Sequence, residues 1–342
     1  EPDSIVFPLR KLFNGYKNVF FRMAMVNEIQ SESNTIITDI GTVEYDHLVI
    51  ATGSTTNFFG LQDVQQHSDG MKTIQEALDI RSLILQNLEK AVVTCDDAER
   101  NALTNFAIVG GGPAGVETAG AMAEFKKYIL PKDYPELDAS MMSIYLIEAE
   151  DELLNAMSDK SSENALKFLN KLGVDIRLNT SVQSYDGLNI KTDKAVLLQA
   201  KTMIWTAGVK GNVPTGINKE NIARGNRILV DDYCSIKGYK NIYAVGDIAA
   251  IVSDHYPSGH PMVAQVAIQQ GKQLANNILL QLQGKEWKKF SYKDKGSLAT
   301  IGKRKAVADI GKLRFGGYIA WLLWSVVHLL SISGFRNKLL VG

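Results

Sequence analysis

Residues 105–124, NFAIVGGGPAGVETAGAMAE, constrain the fold of this chain more than any other stretch. The run FAIVG is apolar, as in a buried parallel strand, and Gly110, Gly112 and Gly115 follow in the spacing G-x-G-x-x-G. The next segment, VETAGAMAEFKKYIL, has helical spacing, and Pro131 is predicted to end the helix. In such a unit the first glycine permits a tight turn, the second lets a pyrophosphate approach the backbone, and the third lets the helix pack on the strand.

The strand that follows this unit indicates which dinucleotide the turn would bind. The segment MSIYLIEAED ends a predicted strand at Glu148, and an inserted loop, PKDYPELDAS, accounts for the long spacing from the glycines. A carboxylate at this position accepts hydrogen bonds from the adenosine ribose and repels a 2′-phosphate. The sequence therefore predicts NADH rather than NADPH. The alternative is a glycine turn that serves only helix–sheet packing.

Three further segments each place an apolar strand before a turn of small residues. They are EYDHLVIATGS (44–54), KTMIWTAGV (201–209) and RILVDDYCSIKGYKNIYAVGDIAA (227–250). The turn A-T-G, with Thr52 and Gly53, ends a strand where a bulky side chain would collide with a ligand. The turn V-G-D, with Gly246 and Asp247, offers one carboxylate to the hydroxyls of a polyol or a phosphate. Gly208 occupies the equivalent small-residue turn after the middle strand.

Charge and cysteine content exclude several classes of protein. The 37 Lys and Arg residues balance the 37 Asp and Glu residues, so the overall charge does not favour nucleic acid as a partner. The two cysteines, Cys95 and Cys234, form neither a C-x-x-C pair nor a zinc-binding pattern. We therefore expect no metal site and no dithiol redox centre.

The order of these motifs resembles that of the two-dinucleotide flavoprotein reductases. The resemblance implies two Rossmann-like α/β domains, with an NAD domain inserted into an FAD domain, and a C-terminal membrane-associating helical segment. The implied segments are 1–56 (first part of the FAD domain), 57–104 (linker and helix), 105–206 (NAD domain), 207–284 (second part of the FAD domain) and 285–342 (membrane-associating region). The family's own FAD glycine motif has no counterpart before residue 100, and we expect it upstream of Glu1. The alternative is a protein with one nucleotide site and plain flanking strands.

The resemblance also assigns roles to individual residues. It places Thr52, Gly53, Gly246 and Asp247 at a non-covalently bound FAD, with backbone contacts from Val26 to the adenine. Gly208 would line the cofactor site as well. Glu117 matches a family glutamate that lies between nicotinamide and flavin. Its alternative role is an acid in the first turn of the helix, favoured by the helix dipole.

One branch of the family fits this chain better than the others. Residues 259–278, GHPMVAQVAIQQGKQLANNI, are predicted to form a helix with Gln265 and Gln269 on one face. This segment resembles the A-Q-x-A-x-Q-Q-G segment of the type II NADH:quinone oxidoreductases, where it borders flavin and quinone. Residues 1–13 and 296–337 also resemble that family. Solvated amides on an amphipathic helix are the alternative for both glutamines.

The C-terminal region combines positive charge with an apolar helix. Residues 285–314 contain ten Lys or Arg against three Asp or Glu, and YIAWLLWSVVHLLSI (318–332) follows. A predicted helical stripe comprises Ile319, Leu322, Leu323, Val326, Val327 and Leu330, with Trp321, Trp324 and His328 on another face. Fifteen residues are short of the ~20 that span a bilayer, so we expect a helix lying in the interface. The alternative is a core helix that caps the flavin domain.

The resemblance implies an enzyme that passes hydride from NADH to FAD and then two electrons to a quinone, without proton pumping. It implies a peripheral protein on the cytoplasmic side of the cell membrane and leaves a homodimer open. Lys303 and Lys305 would favour a reduced quinone, or else belong to a solvated basic face. His255 and His328 are expected to be structural or surface residues. Two other functions stay open, a soluble NADH-dependent reductase of a ferredoxin or rubredoxin and a catalytically silent NAD-binding remnant.

Overall fold

The structure of the chain, a computed structural model, describes residues 6–331. Two compact units divide the chain. The first, here the glycine-turn unit, contains Thr56–Gly208 and residues 296–331, with Val6 and Phe7. The second, here the flanking unit, contains Pro8–Thr55 and Val209–Lys295. The outermost parts of the predicted first and last segments, 1–5 and 332–342, lie outside the described residues.

The strands are short and are distributed over both units. In chain order they are β1 (Val26–Gln30), β2 (Thr35–Thr38), β3 (Gly41–Glu44), β4 (Leu48–Ile50), β5 (Ser54–Thr56), β6 (Asp69–Gly70), β7 (Phe106–Val109), β8 (Ile144–Ile147), β9 (Asp175–Arg177), β10 (Val182–Tyr185), β11 (Asn189–Thr192), β12 (Leu197–Gln199), β13 (Thr202–Trp205), β14 (Val209–Gly211), β15 (Ile222–Ala223), β16 (Arg227–Leu229), β17 (Ile242–Ala244), β18 (Ala249–Ala250), β19 (Ser297–Thr300), β20 (Ala306–Ile310) and β21 (Leu313–Gly317).

The helices alternate with the parallel strands in the glycine-turn unit. In chain order, the helices of the two units are α1 (Leu9–Leu12), α2 (Gln62–His67), α3 (Ile74–Val93), α4 (Asp97–Thr104), α5 (Pro113–Glu124), α6 (Leu130–Asp133), α7 (Asp159–Lys171), α8 (Ala264–Leu282) and α9 (Tyr318–Ser331). α3 begins with a capping box, in which Thr73 and Glu76 bond each other's backbone N–H. The helix predicted within residues 259–278 is α8, which begins and ends later than expected.

A five-stranded parallel sheet forms the centre of the glycine-turn unit, in the order β6-β13-β7-β8-β9. All four residues of β7 are buried, as its apolar sequence requires of a strand covered on both faces. Phe106 and Ile108 join one core cluster, while Ala107 and Val109 join another on the opposite face. The cluster around Phe106 also contains Val116 and Ala119 of α5, which packs against β7 and β8.

The helix after the glycine turn does not end where the sequence predicts. α5 passes into a π-helical turn, Phe125–Ile129, and α6 then carries Pro131 in its first turn. Proline is tolerated there because the N–H groups at the start of a helix have no intrahelical acceptor. The prediction that Pro131 ends the helix is therefore wrong. The helical path continues to Asp133.

A second, antiparallel sheet, β19-β20-β21, belongs to the same unit and is covered on both faces. Ala299, Ile301 and Val307 join the core around α5 and α7. Ala306 and Ala308 lie on the other face, where they pack with Ala320 of α9. Small residues at these positions let α9 lie close to the strands.

The opposite face of α9 is apolar but exposed. Its exposed residues are Tyr318, Ile319, Leu322, Val326, Val327 and Leu330. Of the predicted stripe, only Leu323 is half-buried, and Trp321 and Trp324 pack towards the sheet. Among residues 6–331, no helix has the length and the hydropathy needed to cross a bilayer.

The flanking unit has its own core and several small sheets. Among them are β1-β2-β3, β15-β16-β18 and the parallel pair β17-β4. Its core includes Ile50, Ile242 and Ala244 of the parallel pair, together with Leu274 of α8. The parallel pair matters most for the site, because the A-T-G turn follows β4 and the V-G-D turn follows β17.

Candidate functional site

The carboxyl ends of the parallel strands in the glycine-turn unit open into a cavity of about 500 Å³. Gly110 and Gly112 line it after β7, Glu148 after β8, and Thr206 after β13. Ligands of open parallel sheets bind at this edge, because the loops there leave a crevice outside the strand ends. The structure thus places two of the predicted glycines, Gly110 and Gly112, in one cavity with the predicted acid, Glu148.

The three motif glycines are required for different reasons. A Cβ on Gly115 would lie 1.8 Å from the carbonyl oxygen of Gly110, so only glycine lets α5 pack here. Gly110 has a φ of +109°, and its Cβ would collide with the backbone of Ala207. A Cβ on Gly112 would meet no protein atom within 4 Å, so the protein itself does not demand glycine there. The open space at Gly112 is the room that an approaching pyrophosphate needs, and the cavity therefore fits a dinucleotide.

Glu148 is fixed at the entrance to the glycine turn. Its Oε2 accepts a hydrogen bond from the backbone N–H of Gly111, and its Oε1 accepts one of 2.9 Å from the N–H of Glu150. The carboxylate lines the cavity and lies directly after β8, as the sequence predicts for a residue that contacts a ribose. No cation is bonded to it in the described part of the chain, so its negative charge faces the cavity.

In the flanking unit, the structure brings the A-T-G and V-G-D turns together. Ser54 Oγ donates to Asp247 Oδ2 over 2.6 Å, and Thr52 Oγ1 donates to the carbonyl of Asn212 over 2.6 Å. The N–H of Asn212 in turn donates to the carbonyl of Gly53, which has a φ of +67°. Four of the predicted FAD residues, Thr52, Gly53, Gly246 and Asp247, therefore belong to one pair of adjacent strand ends.

A buried amide beside the V-G-D turn completes this cradle. Gln270 is fully buried, and its Oε1 accepts a hydrogen bond of 2.7 Å from the N–H of Gly246. Its Nε2 is buried and has no hydrogen-bond partner among residues 6–331. A buried amide donor without an acceptor is costly, and a polar ligand group at this turn would satisfy it. Together with the Asp247 carboxylate, this donor fits a cofactor rich in hydroxyl and carbonyl groups, as FAD is.

Arg227 donates hydrogen bonds to the backbone of the same turn. Its buried guanidinium donates to the carbonyls of Asp247 and Ala249, and over 3.0 Å to that of Ser258. Burial lowers the pKa of Arg227, although the nearby Asp247 opposes this shift. His260 lies close by with 7% of its surface exposed, among the rings of Tyr256, Phe290 and Tyr292. Burial, and then the charge of Arg227, lowers the pKa of His260.

Glu117 and Val26 have different surroundings. Glu117 is half-buried, and its Oε1 accepts bonds from the N–H and the hydroxyl of Thr300, 3.0 and 3.3 Å away. It therefore joins α5 to β19. Because α5 begins at Pro113, Glu117 lies beyond the first helical turn, and the alternative interpretation as a first-turn acid is wrong. Val26 begins β1 and is 44% exposed.

Gln265 and Gln269 lie one turn apart on α8 and both bond the segment 293–295. Gln265 Oε1 accepts from the N–H of Lys295, and Gln269 Oε1 from that of Lys293, both over 3.0 Å. Gln269 Nε2 also donates to the carbonyl of Lys293 over 2.9 Å. The amides are thus not simply solvated, which was the alternative interpretation. They hold an irregular segment against the helix.

The remaining predicted residues lie elsewhere. Lys303 and Lys305 belong to the turn between β19 and β20, in the glycine-turn unit, whereas Gln265 and Gln269 belong to the flanking unit. Gly208 ends the segment after β13, where a Cβ would meet the exposed ring of Phe59 at 2.9 Å. His255 is exposed against Tyr256, and His328 is exposed and stacked on Trp324. Both histidines are surface residues.

The sequence analysis did not identify Ser54, Asn212, Arg227, His260 or Gln270. Ser54 and Gln270 stand next to predicted residues, in A-T-G-S and Q-Q-G. Their neighbours in the sequence could therefore have identified them as site residues. Asn212 and Arg227 act through hydrogen bonds to residues that are distant in the chain, and no local pattern reveals such contacts.

Comparisons with known proteins cover both units. Residues 9–271 match the pyridine nucleotide-disulphide oxidoreductase family, and residues 295–342 match the NDH2 C-terminal domain. The type II NADH:quinone oxidoreductase Ndh of Mycobacterium tuberculosis is 33% identical over 351 aligned residues, which cover 98% of this chain and 74% of that protein.

Solved structures share the fold. The structure of NDH2 from Plasmodium falciparum in complex with NADH has a TM-score of 0.86 at 21% identity, and the match covers 93% of this chain and 81% of that one. A ferredoxin reductase from Rhodopseudomonas palustris has a TM-score of 0.65 at 17% identity, covering 91% of this chain and 69% of that one. These findings confirm the predicted α/β fold class with Rossmann-like domains.

Proposed function

The chain belongs to the type II NADH:quinone oxidoreductases, and we propose that it passes hydride from NADH to FAD and then two electrons to a membrane quinone without pumping protons. The choice of acceptor rests on the outer face of α9. Six apolar side chains are exposed on this face, while the other face of the helix packs on the sheet β19-β20-β21. A quinone is lipid-soluble, so its reductase must meet the bilayer. A reductase of a soluble ferredoxin or rubredoxin has no such requirement.

The residues of the chain contribute position and charge. FAD, when bound, accepts hydride and delivers two electrons to the acceptor. Gly110, Gly112 and Gly115 shape the cavity for the NADH pyrophosphate, and Glu148 selects the unphosphorylated ribose. Thr52, Gly53, Gly246 and Asp247 bind FAD, with Gly208 lining the site and the Val26 backbone contacting the adenine. These assignments are supported by the open space at Gly112 and by the paired turns after β4 and β17.

For the quinone, the proposal rests on α8. α8 bonds the V-G-D turn through Gln270 and the segment 293–295 through Gln265 and Gln269. The latter two glutamines position that segment as one wall of a quinone site and offer amide N–H groups to a quinone carbonyl without introducing charge. Glu117 is proposed to lie between nicotinamide and flavin while it bonds Thr300. The electrostatic role of Lys303 and Lys305 towards a reduced quinone stays a prediction.

The membrane-facing part of the proposal concerns α9 and the residues before it. Residues 285–314 hold ten Lys or Arg against three Asp or Glu, and such a lead-in favours anionic headgroups. The protein would be peripheral, with the exposed face of α9 in the interface, on the cytoplasmic side of the cell membrane. The proposal also includes the association of two copies of the chain into a homodimer.

The proposal is tested by measuring which electron acceptor the protein reduces. Purified protein loaded with FAD should oxidise NADH with a short-chain quinone, and Gln269→Leu should raise the KM for quinone while ferricyanide reduction stays normal. Efficient reduction of ferredoxin with no reduction of quinone would establish the carrier reductase instead. A protein that binds NADH but takes up no FAD would be the silent remnant.

A further inference from the structure

Two cavities of the glycine-turn unit, both apart from the dinucleotide cavity, adjoin each other at the end of α5. One is a basic cavity of about 710 Å³, and the other is an apolar cavity of about 600 Å³. Both volumes lie in the range of about 300–1,000 Å³ that is usual for sites of small organic ligands. Ala121, Phe125 and Ile129 line both cavities, so the two meet along this row of α5 and the π-helical turn that follows it.

The basic cavity gathers five cations from three elements. They are Lys127 in the π-helical turn, Lys171 at the end of α7, and Lys303, Arg304 and Lys305 in the turn between β19 and β20. Glu124 is the one carboxylate among the described residues that line this cavity. Its Oε1 accepts a hydrogen bond from the backbone N–H of Lys303, so it holds the turn rather than a cationic side chain.

These cations are not neutralised within the protein. Across residues 6–331, Lys127, Lys171, Lys303 and Arg304 form no ion pair, and Lys305 lies over the ring of Phe168. Unpaired cations around a concavity attract an anion with several acceptor oxygens. A phosphate monoester has about −1.5 to −2 charges at pH 7 and three strong acceptor oxygens, and it therefore matches this set better than a carboxylate does.

The apolar cavity is lined mainly by side chains of α3 and α5. Ile84 and Leu85 of α3 line it together with Met122 of α5. Leu85 is 40% exposed, and Ile129, at the boundary with the basic cavity, is 44% exposed. Covering such exposed apolar side chains removes their surface from water, so an alkyl or acyl chain in this cavity is favourable.

The charges of the two cavities fix the orientation of a ligand that extends over both. Glu89 and Asp133 line the apolar cavity, and Arg81 is the one cation among its described residues. The basic cavity has the opposite balance, with five cations and one carboxylate. An anionic head is therefore repelled from the apolar cavity and attracted to the basic one. The boundary between them is apolar, so an alkyl chain crosses it without burying a polar group of the protein.

From this arrangement we propose that the two cavities together bind one soluble amphiphile, which has a single alkyl or acyl chain and a phosphate-bearing head. The phosphate accepts hydrogen bonds from the cations of the basic cavity, and the chain crosses the boundary at Ala121 and covers Leu85 and Met122. The ligand binds as a monomer from solution, so the site requires no bilayer. It also lies outside the proposed electron transfer and does not depend on it.

The experiment measures the binding of dodecyl phosphate to the FAD-loaded full chain by isothermal titration calorimetry, below the micelle concentration and without vesicles. We expect one ligand per chain. Hexyl phosphate should bind about a hundredfold or more weakly, because its shorter chain buries fewer methylenes and each contributes about fourfold in affinity. Dodecanoate should bind about tenfold more weakly than dodecyl phosphate, because its head has less charge and fewer acceptor oxygens.

A first pair of variants tests the head of the ligand. Lys127→Glu with Lys171→Glu reverses two cations of the basic cavity. Lys191→Glu with Lys194→Glu makes the same charge change at exposed positions of the same unit, outside both cavities. The first variant should bind both dodecyl phosphate and hexyl phosphate about tenfold or more weakly, and the second should bind them as the unaltered protein does.

A second pair of variants tests the chain of the ligand. Leu85→Glu places a charge in the apolar cavity at a position that is 40% exposed, and Leu197→Glu places one at a position of the same unit that is 56% exposed and outside both cavities. Leu85→Glu should weaken dodecyl phosphate about tenfold or more, because a carboxylate opposes burial of the chain. Leu197→Glu should bind it normally. Flavin absorbance and melting temperature check the folding of each variant.

Other outcomes overturn the proposal, each in a distinct way. If inorganic phosphate binds as tightly as dodecyl phosphate, the basic cavity is an anion site that takes no chain. If dodecanoate binds as tightly, the head is not a phosphate. Equal losses in Leu85→Glu and Leu197→Glu would show that the amphiphile adsorbs elsewhere. If Leu85→Glu changes the oligomeric state in size-exclusion chromatography and leaves ligand binding unaltered, the apolar cavity is a contact between copies of the chain. None of these outcomes alters the proposed electron transfer, which is measured separately with NADH and quinone.

Discussion

The hydroxyl of Ser54 donates a 2.6 Å hydrogen bond to Oδ2 of Asp247, across 193 residues of chain. The bond joins the turn after β4 to the turn after β17, two strands that pair in parallel with Val49 opposite Tyr243. Charge-assisted hydrogen bonds of this kind are among the stronger ones in proteins. The Asp247 carboxylate is therefore held in place before any cofactor binds.

Replacing this carboxylate should weaken flavin binding specifically. We expect Asp247→Ala to lower the FAD content of the purified full-length protein by about tenfold or more, since a charged acceptor contributes about 1.5–3 kcal/mol. Ser54→Ala keeps the charge of Asp247 and removes one neutral hydrogen-bond partner. The FAD content should therefore fall only about threefold. The ratio of visible flavin absorbance to protein absorbance measures both. Equal flavin content in Asp247→Ala and the unaltered protein would remove Asp247 from the FAD site.

The motif glycines allow a matched pair of substitutions. Gly115→Ala places a Cβ 1.8 Å from the carbonyl of Gly110 and should lower the free energy of unfolding by about 1–3 kcal/mol. Gly112→Ala meets no protein atom within 4 Å and should change stability by less than about 0.5 kcal/mol. It should nevertheless raise the KM for NADH about tenfold, because the methyl group occupies the space of the pyrophosphate. Denaturant unfolding and NADH kinetics on both variants separate packing from binding, and a normal KM in Gly112→Ala would contradict the docking site.

Nucleotide selection should depend on the charge of Glu148. Glu148→Gln keeps an oxygen that accepts from the Gly111 N–H but removes the negative charge that repels a 2′-phosphate. We expect the preference for NADH over NADPH, measured as the ratio of kcat/KM values, to narrow about tenfold. Melting temperature serves as the control and should change little. Equal use of both nucleotides by the unaltered protein would contradict the role of Glu148.

Burial of His260 predicts a pH dependence of stability. Its pKa is lowered below the ordinary value of 6.5 by burial and by Arg227, so the folded protein binds fewer protons than the unfolded chain in the window below 6.5. The contribution of His260 to stability is thus fully present above pH 6.5 and is lost as the pH falls through the lowered pKa. His260→Phe keeps a ring among Tyr256 and Tyr292 but cannot titrate. Between pH 7.5 and 5.5, the denaturant midpoint of this variant should fall less than that of the unaltered protein. An equal fall in both proteins would exclude His260 as the cause of the pH dependence.

The parts of the fold that the sequence predicted are those fixed by local rules. The strand, the glycine turn and the following helix were predictable because Gly110 needs a left-handed φ and Gly115 has no room for a Cβ. The acid at the end of β8 followed from the same logic. The end of α5 was mispredicted, because a π-helical turn places Pro131 where a missing N–H has no cost.

Contacts between distant segments escaped the sequence analysis. Gln265 and Gln269 were correctly assigned to one helix, but nothing in their spacing reveals that segment 293–295 bonds both amides. Likewise, an apolar stripe on α9 shows that the helix buries a face without showing which one. The sheet settles this point, since Ala306 and Ala308 accept Ala320 closely and leave Leu322 and Val326 outside.

The outer face of α9 therefore offers a direct test of membrane binding. Leu322 and Val326 are 50% and 49% exposed, so Leu322→Glu with Val326→Glu should not disturb the packing of Ala320 on the sheet. Two charges on a face that must enter the interface oppose its burial, and we expect flotation on phosphatidylcholine vesicles to fall about tenfold or more. Val93→Glu with Leu197→Glu adds the same charges to exposed apolar positions of the same unit, 78% and 56% exposed, and should float as the unaltered protein does. NADH oxidation with a short-chain quinone in the absence of vesicles should be equal in all three proteins. If both pairs float alike, α9 is not the membrane-binding element, and its apolar face must be covered by something other than lipid.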